Sequence, residues 1–349
     1  MQGRVGSVLL VLAAVSGSPA QADEPLPGEE GVILRVLTYN INALPAPLKR
    51  GKAPLLQNIA EILRARRAAG NQPQVVVLQE AFTENAEIIR EVGGYRYAVK
   101  GPDAEGGGPV PVMEPGESDA APHTPLGTAP KLVGSGLYLL SDFPILAARA
   151  QSFGNAACAG FDCFSNKAIL WGQLKVPGLA APLDIITTHM NSHKSAGVPA
   201  PISLKAHAAQ TDMLAHFLEQ EVGNERPLIM AGDFNTRYAP RLAYFRARVT
   251  LADSAEQCLA MAWSCRLGAN SKSGEMLYDT NDKQYFRAGA KVHMRPVFST
   301  RNFQERVDGR PLSDHSGYEV HYALGQAPPA LAASAGPVRG APLPFQLSP

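Results

Sequence analysis

Apolar runs of strand length recur along the chain, and several stop at a polar side chain able to do chemistry. The pattern is plainest in Arg226–Thr236 (RPLIMAGDFNT). Leu228–Ala231 reads as a buried strand that stops at Gly232, and Asp233 and Asn235 follow it. In extended backbone, that two-residue spacing sets a carboxylate and a carboxamide on one side. An ordinary strand-to-loop turn uses the same residue types, so this stretch alone leaves both readings open.

Val32–Tyr39 (VILRVLTY) predicts another core strand, ending at Asn40, and Gln74–Gln79 (QVVVLQ) a third, followed directly by Glu80. A carboxylate at the end of a core strand is costly to bury unless it is paired or binds a cation, which makes Glu80 a metal-ligand candidate. Leu183–Thr188 ends at His189, with Asn191 and His193 just beyond. Tyr95–Val99, Ala168–Val176 and Tyr318–Leu324 complete the strands, with Ser135–Leu140 and Pro144–Ala150 read as a hairpin around Ser141-Asp142-Phe143.

Helical spacing marks Pro54–Ala69, where Leu55, Ile59, Ile62 and Leu63 share a stripe and Arg64, Arg66 and Arg67 read as a solvated end that complements the helix dipole. Thr83–Val92, with Thr83 as cap, and Ser203–Val222, with Leu204, His207, Thr211, Leu214, Phe217 and Leu218 on one face, read as further helices. Beyond Thr236 the signal thins. Arg241–Val249 suits a helix, Leu251–Gly274 an irregular excursion, Asp279–Arg287 an acidic turn before a short strand, and Arg310–His315 a polar loop carrying Asp314 and His315.

Composition changes this picture in three places. Gly101–Leu132 holds seven prolines and six glycines with little apolar periodicity, so it reads as a long loop or a disordered insertion. Met1–Ala22 has the charged start, apolar centre and Ala-Gln-Ala site of a secretory signal peptide, and Gly325–Pro349 is an Ala/Pro-rich tail. That leaves residues 23–324 as one domain, exported to the periplasm or beyond the cell. The four cysteines fall in two local pairs, Cys158 with Cys163 and Cys258 with Cys265, which export allows to close as disulfides. Arg4 is the one charged side chain in Met1–Ala22, so the remainder carries 31 residues of each sign. Such a balance disfavours a protein whose affinity rests on a broad basic face along a phosphate backbone.

Set side by side, the strand ends suit phosphoester hydrolysis. Glu80 with Asn40 can hold Mg²⁺ through oxygen atoms, His315 can take a proton from water, and Asn235 and His189 can face charge developing on phosphorus. In order, LTYNI at Leu37–Ile41, LQE at Leu78–Glu80, SGLYLLSDFPI at Ser135–Ile145, TTHMN at Thr187–Asn191, AGDFNT at Ala231–Thr236 and SDH at Ser313–His315 resemble the endonuclease/exonuclease/phosphatase superfamily. That group includes magnesium-dependent deoxyribonucleases, inositol-phosphate phosphatases and neutral sphingomyelinases.

The resemblance implies an α+β chain folded as a four-layer α/β sandwich, with two packed, mostly antiparallel sheets flanked by helices. It implies Glu80 as main Mg²⁺ ligand beside Asn40, with Mn²⁺ as a substitute, and Asp314 hydrogen-bonding nearby or reaching the metal. His315 would be the general base oriented by Asp282, Asp233 would orient or activate the water, and His189 and Asn235 would contact the scissile phosphate. Asn191 and Lys167 would bind substrate phosphate, although Lys167 equally suits a solvent-facing position at a strand entrance. TYNINALP at Thr38–Pro45 and CFSNKAILWGQL at Cys163–Leu174, with Ala168 in place of an expected Gly, resemble the sphingomyelinase-type branch.

The expected activity is therefore a metal-dependent phosphoric ester hydrolase, an exported phosphodiesterase of sphingomyelinase or phospholipase C type, with peripheral membrane contact and no obligate protein partner. An exported endonuclease or exonuclease acting on nucleic acid is the alternative, and a non-catalytic binding protein on the same scaffold a second one.

Overall fold

In the computed structural model the chain is described over residues 31–46, 48–106, 130–271 and 279–326. The signal-peptide reading, most of the Gly101–Leu132 loop and nearly all of the tail lie outside them.

The strands are β1 (Val32–Asn40), β2 (Val75–Gln79), β3 (Tyr97–Lys100), β4 (Tyr138–Ser141), β5 (Ile145–Ser152), β6 (Ala168–Leu174), β7 (Leu183–His189), β8 (Leu228–Asp233), β9 (Ala252–Asp253), β10 (Arg266–Leu267), β11 (Asp282–Arg287), β12 (Val292–Asn302), β13 (Arg306–Val307), β14 (Arg310–Pro311) and β15 (Gly317–Gln326). The helices are α1 (Ala53–Ala68), α2 (Glu87–Gly93), α3 (Ala200–Phe217), α4 (Ala239–Arg248) and α5 (Ser254–Ala260). One sheet runs β10-β12-β15-β1-β2-β4-β3 and the other β5-β6-β7-β8-β11-β9, with β13-β14 a separate ribbon. Most neighbours are antiparallel, whereas β1 pairs β2, β7 pairs β8 and β10 pairs β12 in parallel.

Alternation along the strands builds the layers. Val75 and Val77 face the other sheet, where Leu170, Ile185 and Ile229 join the same core, while Val76 and Leu78 face outward onto Leu56, Ile59 and Leu63 of α1. On the opposite side Ile186, Leu228 and Met230 pack under Leu214 and Phe217 of α3 and Phe245 of α4. Helix, sheet, sheet, helix is thus the order of the layers.

Several expectations are corrected. Ser135–Leu140 and Pro144–Ala150 do not form a hairpin. β4 pairs with β2 and β3, and β5 pairs with β6 in the other sheet, so Ser141–Pro144 carries the chain between sheets. Both disulfides form as paired in the sequence, but Leu251–Gly274 is more regular than expected, holding α5 between β9 and β10. Asp253 caps α5 by accepting from the Ala255 and Glu256 amides. The predicted hydrophobic runs missed β12, whose sequence VHMRPVFSTRN mixes polar and basic residues into both faces.

The arginines closing α1 do more than meet solvent. Arg66 donates twice to Glu319, at 2.6 and 2.8 Å, and Arg67 donates to Asp142 and to the Gly93 carbonyl. Glu319 is fully buried on β15 and also accepts from His321 and Asn302. Burial acts to raise its pKa, yet these donors and the Arg66 charge hold it down at about 2. Arg66→Ala would strand that carboxylate and should cost roughly 3 kcal/mol of stability in urea unfolding. Arg64→Ala, which breaks an exposed pair with Glu61, should cost less than ~1 kcal/mol. Equal losses would remove the buried pair from the account of how α1 is held.

Candidate active site

The strand ends converge. The carboxyl ends of β1, β2, β7 and β8 and the amino end of β11 open onto one edge of the sandwich, together with the loop preceding β15. β8 runs one step further than the apolar run suggests, to Asp233, because Gly232 lets β7 approach. A Cβ there would lie 2.3 Å from the Thr188 carbonyl oxygen. The register sets Asp233 beside His189 on one side and opposite Asp282 on the other.

Two carboxylates directly across a strand pair repel unless a positive charge lies between them. His315 supplies it, with Nδ1 2.7 Å from Asp282 Oδ2 and Nε2 3.9 Å from Asp233 Oδ2. Burial acts to lower the His315 pKa. The Asp282 charge and hydrogen bond, reinforced by Asp233 and Asp314, outweigh it and bring the imidazole to about 10. Asp233, Asp282 and His315 bring three ligand-type atoms within 4.8 Å of one another, a group able to hold a metal ion.

Beside this cluster lies a set of hard oxygen donors. Asn40 Nδ2 donates to Glu80 Oε1 at 2.9 Å and to Asp233 Oδ2 at 3.1 Å, so these carboxylates converge on one point. Glu80 leaves β2 in the left-handed region, at φ 54°, an uncommon conformation for glutamate that turns it toward Asn40 and His189. Burial pushes its pKa up, against the Asn40 hydrogen bond and the Lys167 charge. The carboxylates of Glu80 and Asp233 fit Mg²⁺, which favours hard oxygen, whereas the Asn40 amide oxygen accepts from the Asn42 N–H at 3.0 Å, so here Asn40 steadies the two carboxylates with its NH₂ group. Asp314 is engaged elsewhere, accepting from Asn42 Nδ2 and from Ser313 Oγ.

His189 lies with Nε2 3.5 Å from Asp233 and 4.0 Å from Glu80. Its burial, seconded by the Lys167 charge, lowers its pKa to about 3, so the ring is neutral. Asn235 reaches the site by a turn rather than by strand alternation. Its φ is 52°, its backbone N–H donates to Asp233 Oδ1 and its side chain to the Met190 carbonyl. The Asn191 carboxamide is buried, accepting from the Ala159 amide and donating to the Ser192 carbonyl, so here it shapes the loop after β7. Lys167 is 5% exposed, which overturns the solvent-facing alternative; its ammonium donates to Asp162 and to the Met190 carbonyl.

Two residues escaped the sequence. Asp162, in a turn closed by the Cys158–Cys163 disulfide, grips Lys167 and accepts from the Ser192 N–H and Oγ, each at 2.6 Å. Lys52, preceding α1, donates to the Leu312 carbonyl, and burial followed by repulsion from Lys49 pulls its pKa down to about 8 against the fields of Asp314 and Glu80. Neither carries a local signal: Lys52 acts through Leu312, and Asp162, although five residues from Lys167, is set beside it by Ser192 in the loop after β7.

A model of the Endonuclease/Exonuclease/phosphatase family matches residues 37–315. The chain belongs to that family. No curated protein matches it in sequence. Among solved structures, beta toxin from Staphylococcus aureus is similar at 17% identity and TM-score 0.57, covering 82% of this chain and 99% of its own. Sphingomyelinase C from Streptomyces griseocarneus shares 23% identity at TM-score 0.56, over 83% and 99%. TDP2 from D. rerio, complexed with a single-strand DNA product, shares 15% at TM-score 0.55, over 83% and 98%. A further beta toxin structure contains bound magnesium ions. At these identities the likeness concerns the fold.

His315 makes its protonation readable. Its folded pKa lies above the unfolded value, so its contribution to stability is complete below pH about 6.5 and is lost as pH rises through about 10. Asp282→Asn removes the charge and leaves only a neutral amide oxygen as acceptor, and the His315 imidazole should then titrate at lower pH in nitrogen-15 NMR spectra. An unchanged titration would exclude Asp282 as its partner.

Proposed function

We propose that this protein is an exported, Mg²⁺-dependent phosphodiesterase acting on a phospholipid head group in the manner of a sphingomyelinase or phospholipase C. The observation that carries the reading is the Asp282–His315 pair facing Asp233 within one buried cluster that Asn40 links to Glu80. That arrangement contains a proton acceptor, a group to hold the acceptor, and oxygen donors for a hard cation.

In its deprotonated, neutral form His315 Nε2 would accept the proton of the attacking water, with Asp282 fixing the tautomer and stabilising the imidazolium that forms. Asp233, facing Nε2, orients that water for in-line attack. Neutral His189 donates toward a phosphoryl oxygen and Asn235 holds the same face, while Lys167 adds fixed positive potential from behind. Glu80 and Asp233, steadied by Asn40, would hold Mg²⁺. When bound, the ion polarises a phosphoryl oxygen and offsets the carboxylate field that raises the His315 pKa.

Leu132 and Phe161, 65% and 62% exposed, support the lipid branch. The Leu132 amide donates to the Phe164 carbonyl at 2.7 Å, so both residues belong to the loop system that carries Asp162 at the site's edge. We take contact with a lipid surface to be peripheral, made by such exposed side chains; among the described residues no helix is long and apolar enough to cross a membrane. The two disulfides suit the oxidising compartment that export reaches.

Mature protein should release phosphocholine from sphingomyelin vesicles with Mg²⁺ and stop in EDTA. His315→Ala should lower the rate by about 10³-fold without unfolding the chain. Near-normal turnover by that variant would remove His315 as base. Glu80→Gln should raise the Mg²⁺ concentration giving half-maximal rate, and an unchanged requirement would dismiss Glu80 as ligand. Nicking of DNA that falls steeply with salt, with no phosphocholine released, would move the substrate to nucleic acid.

A further inference from the structure

Arg241 is 1% exposed, and among the described residues no carboxylate lies within ion-pair reach of it. Asp162 and Asp233 act on its charge from a distance, and its hydrogen bonds go to carbonyl oxygens. Nη1 donates to Asn191 at 2.6 Å and Asn235 at 3.3 Å, and Nη2 donates to Ser192 and Ser203, each at 3.0 Å. Burying a guanidinium is costly, and only a planar fork with several donors can satisfy acceptors on three separate segments at once.

Those segments matter. Asn191 and Ser192 follow His189 in the loop after β7, Asn235 follows Asp233 in the loop after β8, and Ser203 belongs to the first turn of α3. The two loops are also tied to each other by the bond from Asn235 to the Met190 carbonyl. Arg241, in the first turn of α4, therefore clamps from behind the backbone on which the two phosphate-facing side chains ride.

We propose that Arg241 is a positioning residue of the active site, which acts by fixing the loops after β7 and β8 so that His189 and Asn235 meet the phosphate together. This rests on the phosphodiesterase reading. Misplacement of such groups by a fraction of an ångström lowers the rate of the chemical step more than it weakens substrate binding. The site offers a direct means of testing it, because a cavity of about 250 Å³ between α3 and α4 is lined by Arg241 and Lys205 together with the largely uncharged Leu204, His207, Pro240 and Tyr244. That opening is the route by which guanidinium would reach the position vacated in Arg241→Ala, past the ammonium of Lys205.

With the soluble diester bis(4-nitrophenyl) phosphate, Arg241→Ala should lower kcat about 100-fold with KM changed little. Guanidinium chloride at about 0.05 M, well below unfolding concentrations, should restore part of kcat, and the same concentration of NaCl should not. Wild-type kcat in the folded variant, or a loss that guanidinium leaves untouched, overturns the proposal. If Arg241→Ala does not fold, Arg241→Lys decides, since it keeps the charge without the fork. A kcat lower by tenfold or more supports the clamp, and an unchanged kcat overturns it. If the wild type itself shows no turnover, the phosphodiesterase reading fails separately. Amide hydrogen exchange over residues 190–193 and 234–236 then decides the clamp, faster exchange in Arg241→Lys supporting it and equal exchange overturning it.

Discussion

Two buried glutamines lock the sheets together just beneath the site. Gln79 accepts from Thr38 and donates to Thr187, and Gln284 donates to the Val36 and Tyr318 carbonyls while accepting from Tyr322. An interface of aliphatic side chains alone tolerates sliding, because dispersion contacts have little direction. Hydrogen bonds between buried groups do not, since any shift leaves a donor or acceptor unpaired in a low-dielectric core. Gln79 immediately precedes Glu80, and Gln284 lies two residues beyond Asp282. The same contacts that fix the sheets' relative position therefore fix the separation between the oxygen donors and the Asp282–His315 pair.

On that rigid edge the charges are arranged by register. Pairing β8 with β11 places Asp233 opposite Asp282, an unfavourable meeting of carboxylates that the imidazolium of His315 offsets. Lys167 and Lys52 add positive charge near Glu80, each held by a backbone carbonyl rather than left to solvent. Under the proposed function, a phosphodiester brought to this edge would meet a balance of cations and carboxylates set by the backbone, with little reorganisation needed to accommodate it.

Local signals were sufficient wherever a residue's part depends on its own strand. The apolar runs before Asn40, Glu80, His189 and Asp233 mark strand ends, and a polar group at such an end stands out against the run that precedes it. Asp282 and His315 lack that contrast, and the family resemblance rather than the pattern brought them together. β12 was missed because its faces carry mixed residues, and β4 and β5 were joined wrongly because a short turn between two strands looks the same whether the chain reverses within one sheet or crosses to the other.

By itself, the sequence determined that this chain has strand-rich layers faced by amphipathic helices, locally paired cysteines, and the ordered motifs of the endonuclease/exonuclease/phosphatase family. These are properties of short windows, governed by periodicity and by neighbours a few residues away. Only the tertiary structure decided that Arg66 holds a buried carboxylate, that Asp162 and Lys167 form a pair beneath the site, and that Arg241 clamps two loops. Each of those depends on a desolvated charge finding partners on another element. No window of sequence contains both the charge and the environment that removes its water.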